Sequence, residues 1–484
     1  MESLLILLIS ISISISISIS SISAFTPPTT YFLNCGSNAT ITFPNDYPPR
    51  NFTPDSQIPS ISTTETLTIN PTTLSSTSPS LYTTARLFIQ PFTYTFTVNS
   101  TGTHVLRLHF SPFTTPAHNL SSANFNVSAL QTFLLLASFS PSTTTTIKEY
   151  FLWLDSDEFQ LTFTPNSSPS LAFISAIELF TAPPFLIDNT TEPKQVSRLG
   201  NDSNIDHIAH QALETVYRIN VGGPKITPEN DTLWRTWTPD DDFLFSNITT
   251  TVEAKTTTDK ISYYAYDKPR STREIAPEFV YSTAREMNIS DVTRIANPKI
   301  NFNMTWAFPV PSGYKYFIRM HFCDFVSEQP LSLIFNIYIG DLSASQYFIL
   351  GWLTYQTLSQ AHYVDFIAAD DVRTSGSLKV SVGPSDQSNS ANVISSIMNG
   401  LEIMKINNTV GSLNGTFNSI VGTSVKKHRH VSLPVTIVSA AAAPLVLIRN
   451  ERMEKVNYVI QLSLQVYKGS YLYRTHITDT CITN

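Results

Sequence analysis

The chain has 484 residues, more than one hydrophobic core normally holds, so two domains with tails are expected. It is 42% hydrophobic and 11% aromatic but only 14% charged, with a formal net charge of -7. No basic stripe interleaved with aromatics occurs, which excludes a nucleic-acid-binding surface. Thr, Ser and Pro take the polar positions and Gly is scarce at 15 residues, a balance that favours β-structure. The three cysteines, Cys35, Cys323 and Cys481, are too few for a disulfide framework. A Cys35–Cys323 bridge and two buried free thiols in separate domains both stay open.

Residues 1–24 read as a secretory signal peptide: an apolar start, an Ile-Ser alternation, then small residues at Ser21, Ser23 and Ala24. Asn-x-Ser/Thr sequons agree with export, at Asn38, Asn51, Asn99, Asn119, Asn126, Asn166, Asn189, Asn201, Asn230, Asn247, Asn288, Asn303, Asn407 and Asn414. All precede residue 415, as glycosylation of one secreted region requires.

From Tyr31 onward, short runs of alternating Thr, Phe, Tyr, Val and Leu are broken by Pro and Ser. Their close spacing predicts an all-β fold of the sandwich or barrel type. A first domain is expected over 25–182, a polar linker over 183–212 and a second domain over 213–415.

The second domain repeats the first. Leu106-Arg107-Leu108-His109-Phe110 answers Ile318-Arg319-Met320-His321-Phe322, and Cys35-Gly36 answers Val221-Gly222. Ala85-Arg86 answers Ala284-Arg285, and Phe125-Asn126-Val127 answers Phe335-Asn336-Ile337. From Tyr31 to Tyr217 is 186 positions and from Glu178 to Glu402 is 224, the drift that loop insertions produce in a duplicated domain. Period-two alternation makes the 105–113 and 317–325 runs half-buried strands, with Arg and His on the polar face. The repeated His109 and His321 are expected to be structural.

After residue 415 the character changes. Lys426, Lys427, His428, Arg429 and His430 form a basic juxtamembrane segment within 416–430. Residues 431–448 lack formal charge and are a short candidate for a transmembrane span, interrupted by Pro434 and Pro444. A tail over 449–484 ends the sequence.

No H-E-x-x-H, C-x-x-C, G-x-S-x-G or P-loop pattern occurs, so no catalytic residue, metal ligand or cofactor site is assigned. Asp240, Asp241 and Asp242 form the densest carboxylate cluster, read as a solvated turn ahead of a calcium site or a pair with Arg235. Asp155, Asp157 and Glu158 are a remote candidate for paired glycosidase carboxylates. Trp234, Trp237, Tyr263, Tyr264 and Tyr266 offer aromatic faces for sugar stacking, with core packing the blander reading.

Several segments together carry a family resemblance. They are Tyr31–Ser37, Leu233-Trp234-Arg235-Thr236-Trp237 before Pro239-Asp240, Ala276-Pro277 before Val280-Tyr281, Arg319-Met320-His321-Phe322-Cys323-Asp324, and Asn399-Gly400-Leu401-Glu402-Ile403. Their shared order resembles the ectodomain of plant FERONIA/THESEUS-type receptor-like kinases. The resemblance implies two tandem malectin-like β-sandwich domains in a plasma-membrane glycoprotein that senses the cell wall. Implied partners are a secreted RALF peptide, a GPI-anchored co-receptor and pectin or another wall glycan. The kinase that such receptors carry is not found after residue 448, so the chain is expected not to be an enzyme and to signal through partners. A secreted carbohydrate-binding decoy is the alternative, and a wall polysaccharide hydrolase the remote one.

Overall fold

The computed structural model describes residues 25–58, 65–68, 80–166, 170–187, 196–201, 205, 207–245, 252–263, 271–287, 303–385 and 395–415. The signal peptide, the basic segment, the 431–448 span and the tail lie outside the described residues, as do Tyr264, Tyr266, Asn189, Asn247, Asn288 and Cys481. Among the described residues no helix is long and apolar enough to cross a membrane.

Strands dominate, and they assemble two sandwiches as the alternating pattern requires. In the first, Gly102–Phe110 lies between Thr146–Leu154 and Ala176–Thr181, all antiparallel. Thr30–Asn34 joins beyond Ala176–Thr181, followed by Arg50–Pro54 and Ile41–Phe43. Facing them is a four-stranded sheet in the order Phe92–Thr97, Glu158–Pro165, Phe125–Ala129, Phe133–Phe139. Leu106, Leu108 and Phe110 meet Phe125, Phe159 and Phe163 between the layers.

The second sandwich repeats this plan. Tyr316–Phe322 lies between His362–Ala368 and Gly400–Ile406, with Leu213–Asn220 beyond the latter. Facing them are Met304–Pro309, Ser377–Pro384, Ile334–Ile339 and Leu342–Ile349, in that order. Ile318, Met320 and Phe322 pack on Trp306, Phe335 and Val380.

One latch occurs in both sandwiches. Gly36, at φ +75°, leaves its backbone N–H 3.1 Å from Asp55 Oδ1, and Asp55 also accepts from Arg86 and from the Tyr94 hydroxyl. Gly222, at φ +70°, donates at 2.9 Å to Asp240, which also accepts from Arg285 and Trp306. A Cβ at Gly36 would stand 2.4 Å from the Ala85 carbonyl oxygen, and one at Gly222 would stand 2.1 Å from that of Ala284. Only glycine fits so close an approach at positive φ. Asp240 is therefore fully buried and paired with Arg285, not a solvated turn residue, and Arg235 pairs instead with Asp231 at 2.9 Å.

The sandwiches share one sheet. Tyr150 and Phe151 pair with Glu214 and Leu213, so the central layers join into a twelve-stranded sheet among the described residues. Its second face is covered too. Val105, Phe151 and Phe180 pack with Phe317, Met404 and Trp234 in a third core between the modules. Both central strands are therefore buried on both faces, from His104 onward in one and throughout in the other. The expected half-buried strand fails here because period-two alternation cannot distinguish water from a second module whose covering face carries matched charges.

Part of segment 183–212 is built into this body. Leu186 and Ile187 enter the third core, and Val196–Leu199 pairs in parallel with His362–Ala368. At the far end, Leu413 returns to the first core: its N–H donates to the Leu134 carbonyl at 2.9 Å, and the Leu134 N–H donates to the Gly411 carbonyl at 3.0 Å.

Candidate ligand-binding cleft

A cleft of about 500 Å³ lies where the two sandwiches meet, lined among others by Phe43, Tyr82, Arg107, Glu149, Arg218 and Trp234. Its base is a chain of buried ion pairs whose order follows from strand register. Arg107 sits opposite Glu149 on one neighbouring strand and Glu178 on the other. Arg218 sits opposite Glu402. Each of these side chains is held by partners on adjacent strands, as buried charges must be.

The chain begins with Asp46 and Arg50, 2.7 Å apart. Arg50 and Arg107 each reach Glu178 at 2.9 Å. Arg107 holds Glu149 at 2.6 Å, and Arg218 holds Glu149 and Glu402 at 2.7 Å each. The Glu149–Arg218 pair crosses the module boundary. Beside it, Glu214 joins Lys148 at 2.8 Å to Lys405 at 2.6 Å. Arg107 Nη2 also donates across the boundary to the Leu233 carbonyl at 2.7 Å, and Arg319 Nη1 donates to that of Leu186 at 2.8 Å.

The repeated histidines join this network at Glu178 and at its far end, Glu402. His109 lies 2.9 Å from Glu178 and 2.8 Å from the Tyr82 hydroxyl. His321 lies 3.4 Å from Glu402 and 2.9 Å from the Tyr281 hydroxyl. Burial holds His321 below the usual histidine range, which keeps it neutral near pH 7. Burial alone would raise Glu149, but the Arg218 and Arg107 guanidiniums outweigh it and hold the carboxyl at about 2. Glu178 is held below the usual carboxylate range against its burial, chiefly by Arg50 and Arg107, and Glu402 likewise, chiefly by Arg218. These carboxylates are fixed anions already paired with cations. They suit a rigid binding floor and offer neither a poised general acid nor an unpaired base.

The aromatic candidates fall into packing roles. Trp234 lies 5.0 Å from Phe32 and 5.2 Å from Phe180, both edge-on, and its Nε1–H donates to the Pro48 carbonyl at 2.6 Å. The second module thus plugs into the first through this side chain. Trp237 is fully buried and donates to Asp231 at 2.9 Å. Tyr263 packs edge-on against Tyr281 at 5.9 Å. Asp155 and Asp157 lie on one exposed turn away from the cleft, and the exposed Glu158 opens the strand that follows. Cys35 and Cys323 are buried free thiols, one in each sandwich, and burial raises both above the usual thiol range. Asn38, Asn51, Asn99, Asn119, Asn166, Asn201 and Asn230 are exposed, while Asn126, Asn303, Asn407 and Asn414 are partly buried.

The network partners Asp46, Arg50, Glu149, Arg218 and Glu402 were not singled out for chemistry in the sequence. The signal that could have found them is the pairing of Arg107 and Arg319 with the closing-strand glutamates Glu178 and Glu402, which keep their places in both copies.

Two tandem β-sandwiches joined face to face, with an inter-module cleft on a fixed ionic floor, define a binding module. The chain belongs to the malectin-like family, whose domain model matches residues 33–406. It is similar to the probable receptor-like protein kinase At5g24010 of Arabidopsis thaliana, 40% identical over 398 residues, covering 81% of this chain and 46% of that protein. It is 38% identical over 404 residues to the Arabidopsis receptor-like protein kinase THESEUS 1, covering 82% of this chain and 44% of that protein. The chain thus spans less than half the length of these relatives, and the match lies in the malectin-like region. Among solved structures it is similar to one of the plant peptide RALF23 in complex with FER and LLG2. That match has 29% identity and a TM-score of 0.67, covering 81% of this chain and 99% of the other. The ANXUR1 extracellular domain from Arabidopsis thaliana matches at 27% identity and a TM-score of 0.67, covering 80% and 99%.

Proposed function

We propose that this chain is the ligand-binding ectodomain of a cell-wall-sensing receptor-like protein at the plasma membrane, reached through the secretory pathway. It captures a secreted peptide together with a GPI-anchored co-receptor and passes the event on through partners. The observation that carries this reading is the likeness over nearly the whole length of a receptor chain solved with its peptide and LLG2. The cleft supports a peptide over a polyuronate such as pectin. Its Arg50, Arg107 and Arg218 are each engaged by carboxylates, leaving little free cationic field for an acidic glycan.

The test is a titration of the purified, glycosylated full chain with a RALF-type peptide, with and without the co-receptor. Saturable peptide binding that tightens when the co-receptor is present is the expected result. Failure to bind peptide under either condition would overturn the proposal. Partition of the expressed protein between membrane and medium separates an anchored receptor from a soluble decoy.

A further inference from the structure

We propose that the outer edge of Leu342–Ile349, on the second sandwich, docks an extended, uncharged segment of a partner protein, which adds to the sheet as one more strand. The proposal goes beyond the preceding reading and does not depend on what the module cleft takes.

The two modules match here residue by residue. Phe125-Asn126-Val127-Ser128 answers Phe335-Asn336-Ile337-Tyr338, and the strand beside each is bulged at the same points. Val127 is paired with Leu136 and Ser128 with Leu134, skipping Leu135. Ile337 is paired with Ser345 and Tyr338 with Ser343, skipping Ala344. Ser138, at φ +48°, donates its N–H to Asn126 Oδ1 at 2.7 Å. Tyr347, at φ +53°, donates its N–H to Asn336 Oδ1 at 3.0 Å. Ser343 therefore stands where Leu134 stands, and Leu342 where Phe133 stands.

In the first module this edge is covered by the chain itself. The backbone of Leu134 bonds to Gly411 and Leu413, and Ser412 runs beside it in parallel. Leu134 is left only 5% exposed. In the second module the same bulged edge has no cover. Among the described residues, the outer side of 342–346 has no backbone partner. The nearby Val196–Leu199 makes its ladder with His362–Ala368 instead. Ser343, Gln346 and Tyr347 are exposed, and Leu342 is 41% exposed. Exposed edges are ordinarily blunted by Lys or Pro, and Leu342–Ile349 contains neither. An open row of backbone donors and acceptors is what strand addition uses.

Size and charge select the occupant. At about 3.3 Å per residue, eight residues give an edge about 26 Å long. One strand deep, it falls well short of the ~1,200 Å² that a contact between two folded chains needs, so it fits a lone extended segment better than a second copy. The strand carries no charged side chain, so it offers a charged segment no counter-ion. No glycan is rooted on this sheet either: its four strands lie within 304–406, which holds no sequon. Tyr338, standing where the first module has Ser128, removes the sequon that Asn126 carries there.

The probe is a labelled synthetic peptide of residues 408–415, the segment that covers Leu134, titrated by fluorescence polarisation into the glycosylated full chain. The expected result is saturable binding by the parent. The same peptide N-methylated at Leu413 lacks the N–H that the Leu134 carbonyl accepts in the first module, and it should bind about tenfold more weakly, the loss of one hydrogen bond. Ser343→Pro removes the donor equivalent to that of Leu134, at an edge position that tolerates proline, and should weaken binding about tenfold while keeping the parent's unfolding midpoint. Leu342→Lys places a guarding charge at an exposed site, should weaken binding as well, and decides the matter if Ser343→Pro fails to fold. Four outcomes would each overturn the proposal. They are no saturable binding of the peptide, equal binding of its N-methylated form, parent-like binding in the folded variants, or concentration-dependent dimers of the parent that these variants abolish, which would make a second copy the occupant.

Discussion

Arg218 is where the two modules are most tightly coupled. Replacing it with Met keeps the aliphatic length and removes the cation between Glu149 and Glu402, both 2.7 Å away and almost fully buried. The two carboxylates then fare differently. Glu149 keeps Arg107 at 2.6 Å and the Thr215 hydroxyl at 2.7 Å. Glu402 keeps His321 at 3.4 Å, a neutral group, and otherwise only the more distant Arg235 and Arg319 guanidiniums. The less compensated charge is therefore Glu402, and removing one partner of a buried pair costs about 3–5 kcal/mol. The cost should depend on pH. Without Arg218, burial pushes the Glu402 carboxyl above its unfolded value of about 4.3, so the folded state gains a proton as pH falls. The penalty is full at pH 7.5 and shrinks towards pH 5. Urea unfolding of parent and Arg218→Met at both pH values measures this, and adding Glu402→Gln should recover part of the loss at pH 7.5. A loss below about 1 kcal/mol at pH 7.5, or one that does not change with pH, would refute the reasoning.

Other expectations follow from the same geometry. Trp234→Ala removes the plug against Phe32 and Phe180 and should cost about 3–5 kcal/mol, with limited proteolysis newly cutting between the modules. Gly222→Ala should abolish secretion of folded protein, because its Cβ meets the Ala284 carbonyl at 2.1 Å, whereas Gly313→Ala, at φ +82° with nothing within 4 Å, should cost only about 1 kcal/mol. In the parent, stability should decline gently as pH falls below about 6.5, because His321 and His104 are held below their unfolded value by burial and unfolding takes up the proton. It should decline steeply only below about 4, where the unfolded chain protonates carboxylates that the folded state holds ionised, such as Glu149 at about 2; thermal melts across pH 3–8 would show one slope instead of two if this is wrong. Peptide mapping of the secreted chain should find glycans at the exposed Asn38, Asn51 and Asn99, and their absence from all three would count against export through a glycosylating pathway.

The duplication was legible because hydrophobic alternation and the Arg-x-His run survive in both copies at the level of residue type. What stayed hidden was the second face of those strands. A charged residue on a strand ordinarily signals water, and nothing local to Arg107 reveals that Glu149, Glu178 and a backbone carbonyl from 126 positions away complete its shell. Asp55 was missed for a related reason: it opens a short 3-10 turn, where a lone aspartate looks like loop punctuation. Its counterpart Asp240 was noticed only because two more aspartates follow it. Trp234 and Trp237 could be platforms or plugs by composition alone, and only the facing Phe32, Phe180 and Asp231 decide between the two.

The sheet that runs through Tyr150–Glu214 and Phe151–Leu213 has a consequence for the lineage of such chains. Once two copies share a ladder, a core and a line of interlocked charges, neither can be exchanged, lost or shortened alone. A chain cut in segment 183–212 would present Phe180, Arg107 and Glu149 to water, a surface that only the other half can cover. The junction thus makes the two repeated modules one folding unit, coupled along the seam.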